Sequence, residues 1–279
     1  MNEALAVSDN IFAVKTHLYL GPDALVETAQ RAGIEADLSP IPSLALGTQN
    51  IKVLDLTAGY GPFANNGKAV EPTFIEKITD ADGNVLMETE QPTNQVFDPE
   101  KSYVITDMMQ GTFDPSMDSY TSVTGQSIAH LMDRPLAGKS GSTDFDSWMV
   151  GFSPQLVTSV WVGYDDNREM NHAEEGQISK RIWAQFMGEG LEDELKLDFS
   201  PPSGVVMAEI DPETGLLGSE ECGIAKTVAF EQGTAPQKSC TEELENEAAD
   251  TETREDQRED DLPEQKDKFF DRLKKWFQS

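Results

Sequence analysis

"RPLAGKSGSTDFDSWMVGFSPQLVTSVWVGYDD", residues 134–166, is the stretch on which the fold turns. Gly138-Lys139-Ser140 suggests at first a phosphate-binding loop, which needs another glycine five residues earlier so that bare N–H groups can wrap the anion before a helix begins. Asp133 occupies that position, and Pro135 removes a further N–H. Beyond the lysine, Trp148, Val150 and Phe152 alternate with Met149 and Gly151, which is the period of a strand. The phosphate reading fails, and the runs 135–140, 146–152 and 155–164 read instead as three strands of an antiparallel meander.

Upstream of the meander the pattern is mainly helical. Residues 2–20 carry an apolar stripe, Ala4, Leu5, Val7, Ile11, Val14, Leu18 and Leu20, interrupted near Ser8-Asp9-Asn10. "GPDALVETAQRAG" (21–33) has Pro and Asp at its head and Gly after its end, the punctuation of a helix. A loop follows, then helical periodicity in "NIKVLDLTAGYGPFANNG". The 70–90 stretch reads as a hairpin turning at Asp82-Gly83, a pair that tolerates positive φ. Residues 98–113 predict a helix ending near Gly111, 124–131 a short one, and "ISKRIWAQFMGEGL" a third after the meander. Helices, a meander and a closing helix describe an α+β domain with helices packed on an antiparallel sheet.

Four segments follow from composition. Residues 1–199 form the α+β portion, and 200–241 a small β-rich extension bracketed by Cys222 and Cys240. Those cysteines suit one disulfide closing a loop in an oxidising compartment, two free thiols being the alternative. Residues 242–265 are an acidic run expected to be a solvated linker. Residues 266–279 predict an amphipathic helix with Phe269, Phe270, Leu273, Trp276 and Phe277 on one face, suited to a membrane surface or to an apolar patch of protein.

The formal net charge of −30 excludes nucleic acid as a partner, because that affinity comes largely from Lys and Arg neutralising phosphates. No stretch approaches the roughly 18–20 apolar residues of a membrane span, and "MNEALAVSDN" carries no basic leader, so neither anchor nor export signal is expected within the chain. His17, His130 and His172 stand far apart without ligand spacing, so neither metal nor cofactor is expected. Asp144 and Asp146 read as exposed loop acids, and Trp148, Trp161 and Tyr164 as core packing.

The chemistry concentrates in two places. On a strand edge, Lys139-Ser140-Gly141-Ser142 offers an ammonium, two hydroxyls and a glycine with no side chain to obstruct a ligand lying alongside. Such an edge can grip a carboxylate and present an N–H to a developing oxyanion. Far upstream, Ser8 and Asn10 stand two apart, able to aim a hydroxyl and an amide into one cavity.

"SDNIFAVK", "LDLTAGYGPFANNGKAVEPTFIEKITDADGNVL" and "GKSGSTDFDSWMVGFSPQLVTSVWVGYDD", in that order, resemble the penicillin-binding proteins, specifically the transpeptidase domain of the bifunctional class A type, over roughly residues 1–200. The resemblance implies a serine β-lactamase-like α+β fold, incomplete at its N-terminus. It implies acyl transfer, in which a serine attacks the D-Ala-D-Ala carbonyl of a peptidoglycan stem peptide and a neighbouring amine takes the acyl group, with β-lactams as substrate mimics. Ser8 would relay protons, Asn10 would hold the substrate amide and the base lysine, and Lys139 would support the relay. Ser140, Gly141, Ser142 and Thr143 would bind the substrate, with the Ser142 N–H as half of the oxyanion hole. The family's complete protein works on the extracytoplasmic face of the cell membrane.

Two departures stand out. Ser140 replaces the commoner threonine but keeps a hydroxyl, and no serine in the chain is followed by lysine at the third position. The family's Ser-x-x-Lys nucleophile and base are therefore absent. The chain is expected to be the substrate-gripping part of a transpeptidase, inactive alone; the alternative is a non-catalytic truncated module that binds partners through its acidic tail and terminal helix.

Overall fold

The computed structural model describes residues 1–171, 175–212, 214–219, 222 and 225–241. His172, the expected acidic linker and the expected C-terminal amphipathic helix lie outside them. Helices α1 (Asn2–Ala6), α2 (Asn10–Leu20), α3 (Pro22–Arg31) and α4 (Val53–Ala64) come first, followed by strands β1 (Lys77–Thr79) and β2 (Val85–Glu88). Helices α5 (Pro99–Gln110) and α6 (Gln126–Ala129) precede the meander β3 (Ala137–Ser142), β4 (Asp146–Phe152) and β5 (Val157–Gly163). Helix α7 (Ile178–Gly190) and strands β6 (Val205–Ile210) and β7 (Lys226–Glu231) complete the order.

The meander is an antiparallel sheet in the order β3-β4-β5, in register from Ala137 opposite Phe152 to Ser142 opposite Ser147. Because side chains alternate along a strand, β4 sends Met149 to one face and Phe152 to the other. Met149 joins Trp183, Ala184 and Met187 of α7 with Ile128, Leu136 and Leu191, all nearly inaccessible to water. Gly151 allows that contact: a Cβ there would stand 2.5 Å from the Trp183 ring. Phe152 and Ala137 pack with Met109 of α5, and with Tyr60 and Phe63 of α4 at their margin. The sheet is therefore covered on both faces where β4 runs from Met149 to Phe152, all four residues of which are buried.

Each α+β expectation has its element, with three corrections of detail. The hairpin turns through a five-residue connection, 80–84, because Asp80 folds back to accept the N–H groups of Asp82 and Asn84 at 2.9 and 2.8 Å. Gly83 supplies the positive φ, +86°. The N-terminal apolar stripe is not continuous. Ala6 and Val7 are buried, but Ser8 at φ +59° starts α2 on a new axis, leaving Ile11, Leu18 and Leu20 largely exposed. Trp148 and Trp161 are not core. Trp161 is 40% exposed, and both indole N–H groups donate to Asp146 Oδ2, at 3.0 and 3.2 Å, so Asp146 is an engaged acid rather than a free one.

The described residues divide into two compact units, one drawn from residues 1–207 with 228–235 and the other from 208–227 with 236–241. In the second, Ile210 bridges Leu217, Leu217 bridges Ser239, and Cys222 is disulfide-bonded to Cys240.

Candidate active site

Lys139 sits in the middle of β3, the edge strand of the meander. The Thr143 N–H bonds to the Asp146 carbonyl at 3.0 Å, and antiparallel ladders alternate between bonded and non-bonded pairs. Gly141 and Lys139 therefore bond inward to β4, while the N–H groups of Ser140 and Ser142 face the unpaired edge. An extended ligand can add there as a further strand. Side chains of Ser140 and Ser142 lie on the α7 side of the sheet, and Lys139 on the side of α4 and α5.

Ser8 reaches this edge from the junction between α1 and α2. Its backbone is left-handed, an uncommon state for a residue with a Cβ and one that persists only where surrounding contacts impose it. Asp9 caps α2 by accepting the Phe12 N–H at 2.8 Å, which also holds its carboxyl below the usual range. The capped start of α2 turns Ser8 towards the sheet. Lys139 Nζ donates to Ser8 Oγ at 2.8 Å and to its neighbour's carbonyl, Ser140 O, at 2.7 Å.

Burial first, and then the Lys180 ammonium, push the Lys139 amine down to about 8. That value lies close to neutrality, so the amine can release and regain a proton without leaving the physiological range. Because it donates to Ser8 Oγ, the hydroxyl keeps its own proton for a third group. Such a pair has the chemistry to pass a proton to an atom placed beside the Ser8 hydroxyl.

The other sequence-derived residues are distributed around this pair. Asn10 opens α2 with an exposed side chain that has no hydrogen-bond partner among the described residues. Ser140 is half-buried, and Gly141, Ser142 and Thr143 are exposed along the strand edge. The Thr143 hydroxyl is engaged in the β3–β4 turn: it donates to Asp146 Oδ1 at 2.6 Å and accepts the N–H groups of Phe145 and Asp146. Among the described residues no cluster of three or more His, Cys, Asp or Glu could hold a metal. Lys180 on α7 and Thr124 before α6, whose carbonyl accepts the Lys180 ammonium at 2.7 Å, stand beside the site and carry no signal in the sequence.

Comparison with known proteins gives the family and the fold. Residues 1–188 match the penicillin-binding protein transpeptidase domain, and 201–245 match the C-terminal domain of penicillin-binding protein 1A. Penicillin-binding protein 2D of Bacillus subtilis is 47% identical over 85% of this chain and 34% of its own length. Penicillin-binding protein 1A of Aquifex aeolicus is 35% identical over 86% of this chain and 32% of its own. The chain thus spans about a third of the length of these curated relatives. The crystal structure of penicillin-binding protein 1A from Haemophilus influenzae superposes with a TM-score of 0.77 at 26% identity, covering 85% of this chain and 40% of that one. PonA1 of Mycobacterium tuberculosis, at 24% identity and a TM-score of 0.63 over 73% of this chain and 58% of its own, shares the fold. With an edge strand bearing Lys-Ser-Gly, a serine converging on its lysine, and a domain match over most of its length, this chain belongs to the penicillin-binding protein transpeptidase family.

Proposed function

We propose that the chain supplies the substrate-gripping side of a penicillin-sensitive D,D-transpeptidase that crosslinks peptidoglycan at the outer face of the cell membrane. A serine outside these 279 residues would be the nucleophile. Its Oγ attacks the D-Ala-D-Ala carbonyl, the C–N bond breaks, and the terminal D-Ala departs as an amine that takes its proton through Ser8. A neighbouring stem-peptide amine then attacks the ester and releases the serine. Ser140 and Ser142 hydroxyls bind the terminal carboxylate, and the edge-facing Ser142 N–H stabilises the oxyanion. Lys139 holds the relay, and Asn10 the substrate amide.

The observation that carries this reading is the 2.8 Å hydrogen bond from Lys139 to Ser8, two groups that are 131 residues apart in sequence. A related domain, PonA1 of Mycobacterium tuberculosis, is described in complex with penicillin V. The test is to express the chain together with the segment its gene encodes upstream and to add a fluorescent penicillin. Covalent label on a serine of the added segment, lost in Lys139→Ala and strongly slowed in Ser8→Ala, is expected. Label that persists in both variants, or none in the joined protein, would overturn the reading.

A further inference from the structure

Ser8 is held by more than Lys139. Two residues before it, the Ala6 carbonyl accepts the N–H of Thr124 at 3.0 Å and the Thr124 hydroxyl at 3.3 Å. Ala6 and Val7 are buried there against Val123. The Thr124 carbonyl in turn accepts Lys180 Nζ at 2.7 Å. Lys180 is fixed from behind because α7 is tied to the sheet: Ser179 Oγ lies 2.6 Å from Ser147 Oγ on β4, and Trp183 donates to the Thr158 carbonyl on β5 at 3.1 Å.

These contacts close a ring. It runs from β3 through Lys139 to Ser8, back along α1 to Ala6, across to Thr124, and through Lys180 and α7 to the same sheet. A half-buried lysine that donates to a backbone carbonyl is uncommon, since its ammonium gives up hydration and here takes part in no ion pair among the described residues. Simple packing does not require an amine at this place, because a methionine would fill the same stem.

We infer that Lys180 is a positioning residue for the proposed transpeptidase site: by pinning Thr124 it fixes the Ala6–Ser8 segment and keeps the Ser8 hydroxyl within reach of Lys139. Lys139 alone pulls Ser8 towards the edge strand, and the Thr124 latch sets how far the segment can follow. The left-handed backbone of Ser8 needs both restraints. After burial, the field of the Lys180 ammonium also accounts for part of the lowered pKa of Lys139.

The functional meaning rests on the proposed transpeptidase reading, but the positioning can be tested in the chain itself. Amide hydrogen exchange in the 279-residue protein should accelerate at least tenfold at Thr124 and Asp9 in Lys180→Met, while the amides of β4 and β5 keep wild-type protection. Lys180→Arg, which keeps charge and donor, should restore slow exchange. Unchanged exchange at Thr124 in a folded Lys180→Met protein overturns the inference, as does a uniform acceleration that Lys180→Arg fails to rescue. Should Lys180→Met not fold, the ammonium protons of Lys180 in the unmodified protein decide the matter by NMR: slow exchange with water supports the latch, and fast exchange refutes it. Penicillin labelling of the joined protein separates the two ideas. Loss of label in Lys139→Ala but wild-type labelling rate in Lys180→Met rejects the latch alone, whereas labelling insensitive to Lys139 rejects the transpeptidase reading.

Discussion

The β3–β4–β5 meander and the β1–β2 hairpin are both antiparallel ladders built from alternating sequence, yet they end in opposite environments. β4 is buried along most of its length, with Met149 and Phe152 fully inaccessible, while every residue of β1 and β2 is exposed, including Leu86 at 66%. Backbone pairing is common to both. What differs is the third layer: α7 covers one face of the meander and α4 and α5 cover the other, whereas nothing among the described residues covers the hairpin. Hydrogen bonds exchanged with water contribute little net stability, so the meander owes its rigidity to burial and the hairpin has none to draw upon. Strand β3, which carries Lys139, is the margin of the rigid ladder and combines a fixed backbone with an open edge.

Removing the cover should have the largest effect. Trp183→Ala takes away a fully buried indole stacked on Phe113 at 5.7 Å and is expected to destabilise the fold by about 3–5 kcal/mol in chemical denaturation. A loss under about 1 kcal/mol would mean that α7 is not what holds the sheet.

The second expectation concerns charge at the same margin. Folding lowers the Lys139 amine from 10.5 to about 8, so between those values the unfolded chain carries a proton the folded one has lost. Stability must then rise with pH across that window, and the penalty of burying the ammonium is fully present below it, at most about 3 kcal/mol. The difference in unfolding free energy between wild type and Lys139→Met, followed from pH 7 to 10, should shift in favour of wild type. A pH-independent difference would count against a desolvated amine.

Asp146→Ala leaves two indole N–H groups and the Thr143 hydroxyl without their carboxylate partner. About 1 kcal/mol of destabilisation is expected, since these groups are near enough to water to be resolvated. A red shift in tryptophan emission reports it, and unchanged emission would show that the carboxylate does not hold the pair. The smallest effect belongs to the hairpin. Leu86→Ser should change stability by less than about 0.5 kcal/mol, and a larger loss would reveal a covering layer on β2.

Much of this was legible in the chain. Helix punctuation at Gly21-Pro22 and Gly33 located α3, and the period-two runs located β3, β4 and β5, because local sterics and turn chemistry act within a few residues. Lys139 and Ser8 were both visible as candidates. Trp148 and Trp161 misled, since alternation marks which side chains share a face and not whether that face is covered. Asp146 was unremarkable as a loop acid until the fold brought the Trp161 indole of the neighbouring β5, beside that of Trp148 on its own strand, to its carboxylate. Lys180 and Thr124 carried no signal, because a lysine on an amphipathic helix is ordinarily solvated.

By itself the sequence determined the elements, their order, and the residue types able to grip a carboxylate and pass a proton, since these depend on covalent sterics and side-chain chemistry. Tertiary structure alone decided that Ser8 lies within hydrogen-bond reach of Lys139, that β3 is an edge, and that Lys180 closes the ring behind it. Those outcomes depend on surfaces distant in the chain meeting in one register, and it is burial between layers, not local preference, that sets such a register.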